Sequence, residues 1–235
     1  MTSLQKDFMR LRAALVLAFT AVLVARPAGT DSLESVLEHM DRSAPSFKAF
    51  SADLRSVAHT AVIDEDEVGT GRILLKRANH GIDMLMELTT PDPKSIALHG
   101  QKAEIYYPKI KTVEEYDISR YRALADQFLL IGFGTSGKEL AQAYSMKVLG
   151  TEEVAGMPAT RLELVPKSPE VLKNVKKLEL WIPESADYPV QQKFYLAAGD
   201  YRLATYTNVK KNPPLSDSDL KLKVPRDAKR VLPQK

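Results

Sequence analysis

Between Ile82 and Leu88 the chain alternates: Ile82, Met84, Met86 and Leu88 fall on one side, Asp83 and Glu87 on the other. A period of two belongs to an extended strand with one face toward a core. The same spacing predicts strands over Val68–Arg77, Ile82–Leu88, Ser95–Leu98, Ala103–Tyr107 and Thr112–Tyr116, punctuated by Asn79-His80-Gly81, Pro91-Asp92-Pro93 and His99-Gly100. It returns over Arg161–Val165, Lys177–Ile182, Val190–Leu196, Tyr201–Val209 and Leu220–Val224. About ten strands with hairpin-length turns and no strand–helix–strand alternation argue against a doubly wound parallel sheet. The chain is expected to be mainly β (α+β), a sandwich or a strongly curved sheet.

Helical spacing interrupts the strands in two places. Leu33, Val36, Leu37 and Met40 recur at i, i+3, i+4 and i+7, so one amphipathic helix is predicted over Ser32–Arg42, with Asp31 and Glu34 as its capping box and Pro45 ending it. Midway, Ser119 is placed to cap a helix carrying Tyr121, Leu124, Phe128 and Leu129 on one face, and a second short helix is expected from Lys138 to Tyr144.

The first 25 residues are read as a secretory signal, outside a folded domain over 31–235. Lys6, Arg10 and Arg12 precede an apolar run, Ala13–Val24, that falls short of the roughly 20 residues a bilayer span needs. The expected cut follows Ala25. An uncleaved amphipathic membrane helix is the rival reading, disfavoured because no polar face interrupts the run. The chain has no cysteine, which excludes disulfides, thiolate metal sites, a cysteine nucleophile and a lipid-modified cysteine. The remainder is therefore expected to be an unanchored periplasmic protein. With 44% hydrophobic and 27% charged residues it has the composition of a folded chain, not of a disordered one.

The most enzyme-like segment is Gly132-Phe133-Gly134-Thr135-Ser136-Gly137-Lys138-Glu139. As a phosphate loop it fails at Glu139, where a magnesium-binding hydroxyl is needed. As a dinucleotide fingerprint it follows a helical stretch and no strand, although Glu152 and Glu153 stand at the ribose-binding distance. It is read instead as a flexible linker, with Gly132, Gly134 and Gly137 as a hinge. His39, His59, His80 and His99 show no metal-binding spacing, so turn or surface positions are expected and no metal. No G-x-S-x-G occurs. Asp64–Glu67 reads as a solvated hairpin tip. Lys173, Lys176, Lys177, Lys221 and Lys223 read as solvent-facing strand residues with acidic neighbours, which argues against nucleic acid. Neither an enzyme nor a cofactor is expected.

Several stretches together carry a family resemblance. Gly69-Thr70-Gly71-Arg72-Ile73-Leu74-Leu75-Lys76-Arg77-Ala78-Asn79 is followed by Thr90-Pro91-Asp92 and by Leu98-His99-Gly100-Gln101-Lys102-Ala103-Glu104-Ile105-Tyr106-Tyr107. Later come Leu164-Val165-Pro166-Lys167 and the segment from Asn208 to Val224-Pro225. In order and spacing these resemble the LolA-like superfamily of periplasmic lipoprotein carriers. The resemblance implies an incomplete antiparallel β-barrel of about eleven strands, with helices forming a lid over an apolar cavity. It places Met84, Met86 and Leu88 toward that cavity and gives Arg77 the part of holding the lid closed. Ala78 stands where the family has proline, and methionines stand where it has aromatic residues.

The expected ligand-binding residues are thus Ile82, Met84, Met86, Leu88, Phe128 and Leu129. The expected partners are lipoprotein acyl chains or other lipids, an inner-membrane donor transporter and an outer-membrane acceptor, with the protein itself a monomer. The alternative on the same scaffold is an envelope sensor or interaction module acting through protein contacts. Alternation says which face is buried; whether the space behind it is hollow or filled is left open.

Overall fold

The structure, a computed structural model, describes residues 32–233. The expected signal segment and Asp31 lie outside the described residues. Helix α1 (Leu33–Ser43) is capped by Ser32, whose Oγ accepts from the Ser35 N–H at 3.1 Å. The strands β1 (Ala49–Thr60), β2 (Glu65–Ala78), β3 (Gly81–Thr90), β4 (Lys94–His99), β5 (Lys102–Tyr107) and β6 (Thr112–Asp117) form a meander. Helices α2 (Arg122–Leu130) and α3 (Gly137–Ala143) follow. A second meander comprises β7 (Tyr144–Val154), β8 (Met157–Pro166), β9 (Val175–Pro183), β10 (Gln191–Leu196) and β11 (Tyr201–Lys211), with the short helix α4 (Pro169–Leu172) between β8 and β9. The last strand is β12 (Lys229–Val231).

The twelve strands among the described residues share one open sheet in the order β12-β6-β5-β4-β3-β2-β1-β11-β10-β9-β8-β7. Pairing β1 with β11 joins the two meanders into one curved half-barrel. Every pairing is antiparallel except β12 with β6, which is parallel.

Three local expectations are corrected. Leu220–Val224 forms no strand: Asp217–Leu220 is a 3-10 turn, and Leu220 is buried against Leu74, Leu85 and Ala97 on the convex face. Ser119 does not cap α2; it opens a 3-10 turn and donates its N–H to Asp117 Oδ1 at 2.9 Å. Helix α3 starts one residue earlier than expected, at Gly137, because Ser136 and Glu139 form a reciprocal capping box.

The concave face is divided. Over β7–β9, Leu162, Leu164, Leu178, Leu180 and Ile182 pack against Val36 and Met40 of α1 and Leu140 of α3, filling that half. Over β1–β4, Phe50, Leu54, Ile73, Leu75 and Met84 form a second cluster with Phe133 and Tyr206, and there α2 covers a hollow.

The convex face carries its own buried charge. Glu179 on β9 is fully buried and pairs with Arg161 Nη2 at 2.8 Å and Lys177 Nζ at 2.9 Å, and it accepts from the Tyr195 hydroxyl at 3.0 Å. The register sets Glu163 directly opposite Glu179, and Lys177 bridges both carboxylates. Lys177 is thus the clasp of a buried network and not a solvent-facing strand residue. Burial pushes the Glu179 pKa up, but the bonds from Lys177, Arg161 and Tyr195 outweigh it and leave the carboxyl below its ordinary range. Bonds from Lys177 to Glu163, and from Trp181 and Arg161 to Glu152, lower those carboxyls as well.

Carboxyls depressed in the folded state stabilise fully above their unfolded pKa, about 4.3 for Glu, and lose that contribution as pH falls through the folded values. The melting temperature is therefore expected to hold from neutral pH to about 5 and to fall steeply below about 4. Glu179→Gln should melt lower at pH 7 but with a shallower acid limb. An unchanged acid limb in that variant would show that the network does not govern acid stability.

Candidate functional site

The hollow is a cavity of about 370 Å³ between the β1–β4 and β10–β11 strands and α2. Met86 and Leu88 enter it from β3, Ile96 from β4, Ile73 and Leu75 from β2, and Phe128 and Leu129 from α2. The β3 alternation therefore does aim its apolar side inward, as the pairs Ile73↔Met86 and Met86↔Ile96 require. Ile82 and Met84 lie deeper in the same cluster, buried but not on the cavity wall. Of the six expected ligand-binding residues, four line the cavity and two pack beneath it.

Part of its wall is aromatic: Phe133 and Tyr206 line it, with Phe50 packed behind them. Phe50, Phe133 and Tyr206 meet with ring centroids 4.5 to 5.6 Å apart. The buried polar atoms there are satisfied: the Tyr206 hydroxyl donates to Gln192 Oε1 at 2.7 Å, and Gln192 Nε2 donates to the Ile131 carbonyl at 2.6 Å. Burial pushes the Tyr206 hydroxyl pKa well above its usual value, so it remains a neutral donor. The charged lining residues are Glu67, Lys94 and Arg202. Leu54, Leu88 and Lys94 also line a broader groove of about 900 Å³, which extends the cavity outward between the β1–β2 and β3–β4 ends.

Three devices hold α2 and the segment after it in place. Arg77, at the end of β2, donates Nη2 to the Gly134 carbonyl at 3.1 Å, with its guanidinium 5.7 Å from the Phe47 ring centroid. A side chain at Gly134 would bring Cβ within 2.6 Å of that Arg77 nitrogen and 2.8 Å of Phe47, so only glycine permits the approach. Gly132 and Gly137 are buried, as are Ile131 and Phe133, so the segment is packed against the sheet and α1 and is not a surface linker. The second device is the Gln192 bond to Ile131.

The third, which sequence reasoning missed, is Arg122 on α2. It is 9% exposed, donates to the carbonyls of Ile82 and Gly100, and pairs with Asp126 at 2.8 Å. Asp126 Oδ1 in turn accepts the Ile82 N–H at 2.9 Å. The available signal was an Arg–Asp pair at i, i+4 in an otherwise apolar helix. Arg77→Ala removes one exposed bond and is expected to cost about 1 kcal/mol, read as a small drop in melting temperature; no drop would exclude Arg77 as a tether.

His80 sits in a turn and His99 is the exposed last residue of β4, and both reach the same carboxylate. His80 Nε2 donates to Asp83 Oδ1 at 2.8 Å and His99 Nδ1 to Asp83 Oδ2 at 2.9 Å. Asp64 lies at the β1–β2 tip with φ 51°, while Asp66 pairs with His59 at 2.8 Å and accepts from Tyr201.

No family model and no curated protein matches this chain. Similar solved structures include MucB, at TM-score 0.49 and 14% identity over 81% of this chain and 62% of that one. The chain thus spans less than two thirds of MucB. A LolA superfamily protein from Nitrosomonas europaea aligns at TM-score 0.38 and 16% identity, covering 82% of this chain and 98% of the other. An uncharacterized conserved protein from Thermus thermophilus aligns at TM-score 0.53 and 12% identity, covering 85% and 98%. At such identities the likeness is one of fold: this chain shares its half-barrel with the Thermus thermophilus protein, and a LolA superfamily protein stands among its structural neighbours.

Proposed function

We propose that this chain is a non-enzymatic carrier that shields an acyl chain, from a lipoprotein or another lipid, in the cavity beneath α2. The observation that carries this reading is the division of the concave face, one half filled by α1 and α3 and the other left as an apolar hollow of about 370 Å³. That volume lies at the small end of ligand pockets. At about 30 Å³ per water-sized group it admits roughly a dozen methylenes. Each buried methylene contributes about 0.8 kcal/mol, so even half a chain provides several kcal/mol without any charge or catalyst.

In this reading residues 1–25 export the protein, residues 31–235 carry the cargo through the periplasm, and hand-over runs from an inner-membrane donor to an outer-membrane acceptor. Met86, Leu88, Phe128 and Leu129 contact the chain, with Ile82 and Met84 as packed support. Release swings α2 outward about Gly132, Gly134 and Gly137 once the Arg77 bond to Gly134 and the Arg122 bonds to the Ile82 and Gly100 carbonyls part. Methionine suits such a wall, since its flexible thioether adapts to cargo of differing shape.

The test is native mass spectrometry of protein isolated from envelope extract, followed by organic extraction. Stoichiometric release of a lipid or lipopeptide supports carriage and names the cargo. A protein that is empty and also takes up no acyl probe overturns it and favours an interaction module.

A further inference from the structure

The second feature of chemical interest lies outside the cavity, at the ends of β3 and β4. The β3–β4 register pairs Met84 with Leu98 and Leu85 with Ala97, and one further step sets Asp83 opposite His99. His80, in the two-residue turn closed by the Ala78–Gly81 pair, approaches Asp83 from the other side. The two imidazole rings stand 5.1 Å apart, nearly perpendicular, and one ligand atom from each of the three residues lies within 4.8 Å of the others. Asp83 is only 2% exposed, whereas the side chains of His80 and His99 are 42% and 52% exposed.

We propose that His80, Asp83 and His99 form a binding site for a divalent transition-metal ion of the zinc type, open to water on its outer side. Two imidazole nitrogens and one carboxylate oxygen are the donors such ions prefer, and hard oxygen-seeking ions such as magnesium are poorly served by them. Bonds of about 2.1 Å to each ligand require only small rotations of two half-exposed rings. The nitrogens that now donate to Asp83 would present lone pairs instead, with each ring proton carried on the other ring nitrogen, so neutral imidazoles need lose no proton. Asp83 anchors the site: a buried carboxylate on the middle of three hydrogen-bonded strands is held where it is.

The site also touches the lid. Ile82 and Gly100, the chain neighbours of Asp83 and His99, are the carbonyls that Arg122 grips. An ion tying β3 to β4 at this point would stiffen the frame on which α2 is mounted, independently of whatever the cavity holds.

A bland account of the same cluster is that two histidines merely solvate a buried carboxylate. Glutamine separates the two, because it can still donate to Asp83 but is a poor zinc ligand. The experiment is equilibrium dialysis of the tag-free full-length mature protein against Zn²⁺, with melting curves alongside. The expected result is one ion per chain, a higher melting temperature with zinc, and at least a tenfold loss of affinity in both His80→Gln and His99→Gln. In those variants the zinc-dependent rise in melting temperature should disappear while the metal-free curves stay near the original. Absence of stoichiometric binding, or binding that both variants retain, overturns the proposal; neither result bears on acyl-chain uptake.

Discussion

Met86→Glu is expected to abolish acyl-probe uptake, lowering affinity by at least a hundredfold, while the empty protein stays folded. Met86 lines the cavity, flanked in register by Ile73 and Ile96, which line it too. It is only half-buried, and the cavity it lines shares Leu54, Leu88 and Lys94 with the open outer groove, so a carboxylate there can keep its water when no cargo is present. Loading an acyl chain would strip that water or force the acid to protonate. Either route costs several kcal/mol, and about 2.8 kcal/mol already corresponds to a factor of a hundred. Met86→Leu conserves volume and polarity and should retain uptake. Fluorescent fatty-acid titration of the three proteins, with circular dichroism to confirm folding, decides the matter. Uptake by Met86→Glu equal to that of the original protein would falsify the placement of cargo in this cavity.

The inward side of this site was legible because β3 obeys a single rule: one face apolar, one face polar, from Ile82 to Leu88. The same rule failed on the outer side. Asp83 and Leu85 point away from the cavity yet are buried: Leu215, Leu220 and Leu222 of the C-terminal tail pack over Leu85, and His80 and His99 close on the Asp83 carboxylate. The tail alternates over Leu220–Val224 without pairing as a strand there. Its apolar residues answer to a surface built about 130 residues earlier in the chain, which is why Leu220–Val224 looked like a strand.

Strand β7 was hidden by different means. It begins at the residue that follows α3, leaving no turn signal between helix and strand, and its register slips between Val148 and Gly150. The glycines of 132–137 also have a property that their pattern did not announce: close approach, to Arg77 and Phe47 at Gly134.

The histidine cluster shows the limit most plainly. His80, Asp83 and His99 have no motif spacing, and Asp83 and His99 stand 16 positions apart. Only the β3–β4 register brings them together, and register is a tertiary fact that turn lengths and packing set jointly. Hollowness was also beyond the sequence. Leu178 and Met86 obey the same alternation on the same concave face, but α1 and α3 fill the space above one and α2 arches over the other.

How α2 is held over that space leads to the second large effect, in Arg122→Ala. The side chain of Arg122 is enclosed, and its guanidinium serves three acceptors at once: the Ile82 carbonyl, the Gly100 carbonyl and Asp126. Truncation leaves all three without that donor, in a place where water enters poorly. Breaking one side of a buried, hydrogen-bonded ion pair costs about 3 to 5 kcal/mol, several times the cost expected for the exposed Arg77 bond. For a chain of this size each kcal/mol moves the midpoint by roughly 2 to 4 °C, so the melting temperature should fall by about 6 °C or more. Gly81 adds specificity to the clamp: any Cβ there would stand 2.2 Å from Asp126 Oδ2, so the turn must be glycine for Asp126 to reach the Ile82 N–H. Arg122→Lys keeps the charge but cannot span two carbonyls and a carboxylate with a planar fork, and should fall between the two. Hydrogen exchange at α2 supplies the local readout. Faster exchange across Arg122–Leu130 with the β7–β9 half unchanged would mark Arg122 as the lid clamp, whereas a melting temperature within about one degree of the original would remove it from that role.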